Sequence, residues 1–376
     1  MSQKGKNIDL KSIVWLGEAI SPYNNLLFEH LIKENNSLFI IYYRYSARKT
    51  HFWIFQKKIN YKYRYFLKFR FIPDFRAISQ SIFVKDNMIV FAGTKGLTKT
   101  IILFLAIIFN KDFIYWSDVP PIDHFNGLKG LYREFIFSLI FRRGKKILVT
   151  GKPGIQRMIK YGCCEDKLIN FPYFVPLPNI ITSKNKYYKE KNTLVLLASG
   201  RLEYIKGFDI ILESLSNLKI YGGIDKIELK IAGEGSYRKI LEKKIDDLGI
   251  KSSVKLIGWL QQHDLEEFFS SGDIFIHMAR FEPFGVVVLE AMSFGKPIIG
   301  SDTTMAVLDR VIDGENGFIV KSENVNQLAN KIKYFYENRE VIESMGNSSR
   351  KVAEEWPVEK GVEIIKNISK RSFING

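Results

Sequence analysis

The sequence predicts an α/β protein of two domains, each built on a parallel β-sheet. Short apolar runs of strand length alternate with amphipathic stretches of helix length along most of the 376 residues, which is typical of a doubly wound sheet. This alternation stops once, in a stretch rich in proline and lysine at residues 172–191, and then begins again. A chain of this length can also bury two separate hydrophobic cores.

In the first half, short apolar runs alternate with helical patterns. The predicted strands cover residues 12–16, 38–43, 87–91, 113–116, 147–150 and 168–171, and the predicted helices cover residues 23–34, 97–109, 128–141 and 153–161. Gly17 follows the first strand, and the carboxyl ends of parallel strands are where α/β sheets bind ligands. Asp118 and His124 lie in a polar, proline-containing loop after a buried strand. This loop is a suitable place for a site, although capping and surface hydrogen bonding explain both residues equally well.

Residues 53–72 interleave tyrosines and phenylalanines with lysines and arginines. A strand pair with one solvated basic side and a membrane-interface patch explain this pattern equally well. RNA binding by base stacking would use the same residue types. However, no Arg/Gly-rich segment or RNA-binding signature accompanies them.

The second half repeats the alternation after a break. We place the N-terminal domain at residues 1–178, a linker at 179–191, the C-terminal domain at 192–355 and a final helical segment at 356–376. Within the C-terminal domain the predicted strands cover residues 193–199, 227–232, 254–257, 274–277 and 297–300, and the predicted helices include 207–218, 325–337 and 341–355.

Charge is unevenly distributed between the halves. Residues 1–200 contain 32 Lys and Arg against 13 Asp and Glu, a net charge of +19. Residues 201–376 contain 24 against 27, a net charge of −3. Only the first half is therefore expected to meet a large anionic partner, either a membrane or a nucleic acid.

Composition limits the compartment and the class of protein. The only cysteines, Cys163 and Cys164, are adjacent, which favours a reducing compartment over a disulfide framework or a metal cluster. The first ten residues lack the apolar core of a signal peptide. The longest apolar run, residues 101–109, is too short for the ~20 residues that span a bilayer. We expect a cytoplasmic protein without a transmembrane segment.

The strongest functional pattern lies at residues 281–295. Glu282 precedes a predicted helix whose first N–H groups are free to bind an anion, most naturally a phosphate. Glu290 follows two turns later, on roughly the same side. A phosphate between two carboxylates that accept sugar hydroxyls suits a nucleotide-sugar, whereas the simpler alternative is an amphipathic helix with two solvated glutamates. The N–H groups in question belong to Phe284, Gly285, Val286 and Val287.

Three turns after predicted strands add to this pattern. Gly200 opens a turn in which Arg201 and Lys206 could hold a diphosphate from two sides. Further turns at the same sheet edge are Gly233-Glu234-Gly235 and Gly258-Trp259-Leu260.

Together these motifs make the second half resemble the retaining glycosyltransferases of family 4, which have the GT-B fold of two Rossmann-like domains facing across a cleft. Order and spacing agree over about 120 residues, whereas the first half is similar only in its βα rhythm, Gly17 and length. The matching motifs are Gly-Arg-Leu…Lys-Gly at 200–207, Gly-x-Gly at 233–235, Gly258, Glu-Pro-Phe-Gly…Glu-Ala-Met-Ser-Phe-Gly-Lys-Pro at 282–297 and Asp-Gly-Glu-Asn-Gly-Phe-Ile-Val at 313–320.

The resemblance implies roles for these residues. Arg201 and Lys206 would hold the donor diphosphate, Glu282 would contact the transferred sugar, and Glu290 would bind the ribose hydroxyls. The amides at the helix start would complete the phosphate site. The remaining implied donor contacts are Gly17 and Gly200, with the base near Glu234, Gly235, Trp259 and Leu260.

On the acceptor side, the resemblance points to Asp118, with His124 as the fallback. It also implies that the final helix crosses back to the first domain. Two departures from the family pattern stand out. Gly17 is alone where the family often has two glycines, and after Ser301-Asp302 the chain lacks Gly-Gly-x-x-Glu, so that Asp309 is the candidate for the place of that Glu.

The resulting expectation is a metal-independent enzyme that transfers a hexose from a UDP- or GDP-linked sugar, with retention. With the charge of the first half, we expect a lipid-linked, lipopolysaccharide or capsule glycan as acceptor, at the inner face of an anionic membrane. No cofactor, metal or nucleic acid is expected. The alternatives are a GT-B sugar-nucleotide epimerase and a basic nucleic-acid-binding protein. The second of these would leave Glu282 and Glu290 without a role.

Overall fold

The structure, a computed structural model, describes residues 10–34, 37–42, 59–67, 72–118, 127–178, 193–222 and 226–370. These residues form two compact units. The first contains the described residues up to Phe174 and those from Val358 onward, and the second is Val175–Pro357. Each unit holds one parallel β-sheet. The predicted linker at 179–191 and His124 lie outside the described residues.

In the first unit, strands and helices alternate along the chain. The strands are β1 (Ser12–Gly17), β2 (Leu38–Tyr42), β3 (Lys62–Tyr65), β4 (Asn87–Ala92), β5 (Phe113–Ser117), β6 (Lys146–Val149) and β7 (Leu168–Asn170). The helices are α1 (Pro22–Lys33), α2 (Phe75–Ile82), α3 (Leu97–Ile108), α4 (Leu128–Arg143) and α5 (Gly151–Lys160). The sheet order is β3-β2-β1-β4-β5-β6-β7. Its central strands are mainly apolar because helices cover both faces of such a sheet.

The segment that interleaves aromatic and basic residues is described at residues 59–67 and 72. Its described part holds a single strand, β3, which pairs in parallel with β2 at the edge of the sheet. Tyr61 is buried, its hydroxyl lies 2.7 Å from that of Tyr42, and it donates a hydrogen bond to Asn25. At least this tyrosine therefore anchors the edge strand to the core.

The second unit is built in the same way. Its strands are β8 (Leu194–Ser199), β9 (Ile227–Ala232), β10 (Val254–Gly258), β11 (Ile274–His277), β12 (Ile298–Ser301) and β13 (Gly317–Val320). Its helices are α6 (Phe208–Gly222), α7 (Arg238–Asp247), α8 (Leu265–Ser270), α9 (Val286–Ser293), α10 (Met305–Arg310), α11 (Val325–Glu337) and α12 (Glu340–Glu354). The sheet order is β10-β9-β8-β11-β12-β13. Strand order thus reverses between β8 and β11, and sheets of this kind bind ligands outside the carboxyl ends of the strands at that point.

The last helix, α13 (Val358–Ser369), belongs to the first unit. It packs on α1, where Lys366 Nζ donates a 2.7 Å hydrogen bond to Glu34. At its end, Lys11 N–H donates to Ser369 O at 3.0 Å. The predicted return of the C-terminal helix to the N-terminal domain is confirmed.

Candidate active site

The loop after β8 packs closely against the end of β11. It makes one turn of 3-10 helix, Tyr204–Lys206, and ends at Gly207, whose φ of +66° favours glycine. A Cβ at Gly207 would lie only 1.9 Å from the carbonyl oxygen of Met278, the residue after β11. The close approach that glycine permits therefore sets Lys206 beside the residues that follow β11.

Three side chains converge at this place: Lys206, Glu282 and His277, which are 12%, 14% and 5% exposed. Lys206 Nζ donates a hydrogen bond to Glu282 Oε2, and His277 Nε2 lies 3.6 Å from the same oxygen. Burial raises the pKa of Glu282, but the nearby His277 and Lys206 outweigh it and lower the pKa to about 2. Glu282 is therefore an ionised, largely buried carboxylate at neutral pH.

Glu282 itself lies in an extended segment before α9, paired with the start of α10. Its N–H donates to Thr303 O and its carbonyl accepts from Met305 N–H, both at 3.2 Å. Gly285 turns the chain into α9 with a φ of +98°, and a Cβ there would lie 3.1 Å from the side chains of both Glu282 and Thr304. The glycine lets the carboxylate, the segment before α10 and the start of α9 come together.

Helix α9 begins at Val286, and no side chain in the described parts of the chain caps its first turn. This start is suited to an anion, because backbone N–H groups and the helix dipole point out of it. Glu290, inside the same helix, is only 9% exposed. The alternative of two glutamates solvating an exposed helix face is therefore wrong for both Glu282 and Glu290.

The other predicted donor residues lie along the carboxyl edge formed by β8, β9 and β10. Arg201, 20% exposed, donates a hydrogen bond to Glu203. Leu202 N–H donates to Glu234 O at 3.0 Å, which ties the turn after β8 to the turn after β9. The Glu234 carboxylate accepts from Arg238 and lies 3.4 Å from the position of a Cβ on Gly258. Gly200, Gly235, Trp259 and Leu260 are half-buried in these turns.

Arg280 joins the two loops that carry Lys206 and Glu282, and it belongs to no motif that would identify it from the sequence. Its guanidinium makes two hydrogen bonds to Asp209, of 2.9 and 2.8 Å, and donates to Tyr204 O at 2.6 Å. It also lies 3.8 Å from the centre of the Tyr204 ring. Through Arg280, the position of one loop fixes that of the other.

Asp309 was the candidate for a donor-recognition residue in place of a family Glu. The structure buries its side chain, 1% exposed, where Oδ2 lies 2.7 Å from Arg310 Nε. Arg310 in turn lies 4.2 Å from the ring of Trp356. The Asp309 carboxylate is therefore engaged with a buried arginine on the side of α10 that faces Trp356.

In the first unit, Gly17 is buried at the carboxyl end of β1, where a Cβ would lie 3.2 Å from the ring of Tyr42. Asp118 follows β5 and is exposed, with its carbonyl accepting a 2.7 Å hydrogen bond from Ser117. Both residues occupy the carboxyl edge of the first sheet. Across the described ranges, no three His, Cys, Asp or Glu side chains are grouped so as to hold a metal ion. Nor does any helix within those ranges have the length and apolar character to cross a bilayer.

The second unit is similar in sequence to known glycosyltransferases. Residues 179–352, a little under half of the chain, match the family model "Glycosyl transferases group 1". An uncharacterized glycosyltransferase of Haemophilus influenzae is 31% identical over 51% of this chain and 53% of its own length. The lipopolysaccharide core biosynthesis glycosyltransferase LpsE of Rhizobium meliloti is 30% identical over 53% of this chain and 56% of its own. The chain thus spans about half the length of these curated relatives.

Similarity to solved structures extends over both units. Anabaena HepE in complex with UDP matches with a TM-score of 0.75 and 17% identity, over 95% of this chain and 98% of that one. The lipopolysaccharide outer core galactosyltransferase WaaB matches with a TM-score of 0.70 and 15% identity, over the same shares. None of these comparisons supports the epimerase or nucleic-acid alternatives. The chain has the fold of two Rossmann-like parallel-sheet domains found in GT-B glycosyltransferases, and its second unit is similar to the Glycosyl transferases group 1 model.

Proposed function

We propose that this protein is a retaining glycosyltransferase that moves a hexose from a UDP- or GDP-linked sugar to a glycan acceptor. One observation carries the proposal: Lys206 and the ionised Glu282 meet beside the start of α9, where the strand order of the second sheet reverses. A cation and helix N–H groups suit a phosphate, and a carboxylate suits sugar hydroxyls. The two glycosyltransferases named above, from Haemophilus and Rhizobium, support the same activity.

In this proposal each donor group has its own partner in the second unit. Arg201 and Lys206 hold the diphosphate together with the amides at the start of α9, Glu282 accepts hydrogen bonds from the sugar, and Glu290 binds the ribose. The base lies near Glu234 and the turn after β10. HepE crystallised with UDP and with UDP-glucose, which supports a nucleotide-sugar of this kind as the donor here.

We propose that the reaction needs no metal ion. Arg201, Lys206 and the helix amides would neutralise the leaving nucleoside diphosphate electrostatically, which is the task that a divalent ion performs in other enzymes. The acceptor oxygen attacks the anomeric carbon from the face that the diphosphate leaves, and a departing phosphate oxygen takes the acceptor proton. The new bond keeps the configuration of the old one, so that no carboxylate nucleophile is required.

On the acceptor side, we propose a lipid-linked, lipopolysaccharide or capsule glycan bound by the first unit, with Asp118 in contact with it. His124 is the second candidate for that contact. The lipopolysaccharide role printed for LpsE supports this class of acceptor. The net charge of +19 over residues 1–200 supports peripheral binding to the cytoplasmic face of an anionic membrane.

A stripe of exposed apolar side chains on α4 supports the membrane proposal further. Its four members recur at helical spacing and are 51–86% exposed: Leu128, Leu131, Tyr132 and Phe135. The same helix ends in the exposed Arg142 and Arg143. Apolar and aromatic side chains beside arginines are the combination that inserts at the surface of an anionic bilayer.

The activity is tested by a thermal-shift screen against UDP-, GDP- and ADP-sugars in EDTA, followed by transfer assays with the donor that binds. We expect one nucleotide to raise the melting temperature, and Lys206→Ala to abolish both the shift and transfer while the fold survives. Lys239→Ala, which removes an exposed lysine on α7, is the matched control and should behave like wild type. If Lys206→Ala turns over at the wild-type rate, the diphosphate assignment is wrong.

A further inference from the structure

His277 is a buried polar group that the proposed reaction leaves without a task. It is the last residue of β11, 5% exposed, and its ring lies nearly parallel to that of Phe275, at 6.4 Å and 14°. Within the part of the chain that the structure describes, His277 Nε2 makes no hydrogen bond. A buried polar atom that makes no hydrogen bond is unfavourable, so such an atom needs an explanation.

The surroundings of Nε2 supply one. The atom lies 3.6 Å from Glu282 Oε2, slightly beyond hydrogen-bond distance, and Lys206 Nζ already occupies that oxygen. The other oxygen, Oε1, accepts no hydrogen bond from any described residue. Two side chains of the protein, Lys206 and His277, can therefore donate a hydrogen bond to Oε2. The other oxygen, Oε1, is available for a ligand.

Binding of the nucleotide-sugar would change which side chain donates to Glu282 Oε2. If Lys206 turns to a diphosphate, as the proposed function on which this inference rests requires, Glu282 loses its bonded cation while it stays buried. An ionised carboxylate in that position needs another donor to keep its charge and its orientation. Among the described residues, His277 is the other ion-pair partner of Oε2, at 3.6 Å.

We propose that His277 is a positioning residue that takes over Glu282 Oε2 when Lys206 moves to the donor diphosphate. The Nε2–H group closes the gap of 3.6 Å to a hydrogen bond, and Oε1 remains directed to the sugar hydroxyls. Glu282 then keeps one orientation in the free and the donor-bound protein. Lys206 can then bind the phosphate without leaving the buried Glu282 carboxylate unpaired.

Three variants test this role kinetically. His277→Leu removes the donor, and we expect kcat to fall at least roughly tenfold while the KM for the donor sugar changes by less than about threefold. His277→Gln places an amide N–H near the position of Nε2 and should recover most of the loss. In a Glu282→Gln background, which has no charge to hold, His277→Leu should have little further effect. His263→Gln, an exposed histidine on another loop, is the matched control.

Wild-type kcat in His277→Leu would overturn the proposal, and so would equal losses in the Leu and Gln variants with matching drops in melting temperature.

Nitrogen-15 spectra of the histidine rings in the wild-type protein give an independent readout, with His277→Gln used for assignment. Saturation with UDP or GDP should shift the Nε2 resonance of His277. If calorimetry shows that the nucleotide binds and this resonance does not move, the exchange of partners is wrong although the proposed function stands. If neither nucleotide binds, the proposed function itself fails.

Discussion

Glu282 is an ionised carboxylate in a largely buried position of the second unit. Its carboxylate is 14% exposed, yet Lys206 and His277 hold its pKa far below the ordinary value of 4.5, at about 2. Because the unfolded chain has the ordinary pKa, the folded state binds this proton more weakly. The charge of Glu282 therefore stabilises the fold above pH 4.5, and that contribution is lost as the pH falls towards 2.

We expect this effect to be visible in the free energy of unfolding. A pKa difference of this size corresponds to about 3.5 kcal/mol at most, at about 1.4 kcal/mol per pKa unit. Urea unfolding of wild type and Glu282→Gln between pH 2 and 7 measures it. The difference between the two proteins should change in favour of the variant as the pH falls from about 4.5 to about 2. A difference that stays constant over this window would contradict the ion pair.

Some residues of the site could be predicted from the sequence, and others could not. Glu282 and Lys206 could be predicted because each belongs to a motif with a characteristic spacing along the chain. The structure brings the two side chains together. His277 looks like the end of a buried strand, and Arg280 belongs to no motif. Their importance depends on contacts across the fold, with Glu282 and with Asp209, which local patterns do not encode. The roles of Arg201, Glu290 and Asp118 stay predictions.

At the level of elements, the second unit depends on how closely the turn after β8 approaches the end of β11. Gly207 makes the approach possible, and Arg280 fixes it through Asp209 and Tyr204. At Gly207 the loop that carries Lys206 therefore packs directly on the backbone of Met278. A small change of volume here should act on both stability and donor binding.

Gly207→Ala tests this directly. The new methyl group would meet the Met278 carbonyl at 1.9 Å, so the loop has to move, and we expect a loss of at least about 2 kcal/mol in unfolding free energy. Gly249→Ala is the matched control, because its φ of +64° is nearly the same but nothing lies within 4 Å of its Cβ position. It should cost only about 1 kcal/mol, from the backbone alone. Equal losses of stability in the two variants would show that the close approach is unimportant.

Most strands and helices were predictable because parallel sheets impose long apolar runs and regular alternation. The strand predicted at 193–199, for example, is β8, Leu194–Ser199. The edge strand β3 was harder, since its alternating tyrosines and cations fit a strand in either pairing direction. The structure pairs it in parallel with β2. Local sequence patterns do not predict which strand an edge strand pairs with.

For the molecule as a whole, the two units differ in charge and in their exposed apolar surface. The apolar stripe on α4 continues towards α3, since the rings of Phe135 and Phe104 lie 6.4 Å apart and the Tyr132 hydroxyl lies 3.4 Å from Thr100. This surface belongs to the basic half of the chain. The two-domain division was predictable from the break in the alternation, whereas this surface was not, since exposure depends on which helix face the sheet covers.

Liposome flotation tests whether this surface binds membranes. We expect the protein to float with vesicles of phosphatidylcholine that contain phosphatidylglycerol, and not with phosphatidylcholine alone. Leu131→Glu should weaken flotation, because it places a negative charge in the stripe. Ile240→Glu, at a position of similar exposure on α7 in the second unit, should have no effect. Flotation that ignores lipid charge, or that Leu131→Glu leaves intact, would refute the membrane proposal.

Neutralisation of a diphosphate by Arg201, Lys206 and the start of α9, without a metal ion, is the central step of the proposed reaction. A crystal structure of the wild-type protein soaked in EDTA with the nucleotide-sugar identified by the thermal screen measures this most directly. We predict that the diphosphate lies within hydrogen-bond distance of Arg201 and Lys206, with Glu282 on the sugar. A nucleotide bound elsewhere, or one that binds only when a divalent ion is restored, would contradict the claim.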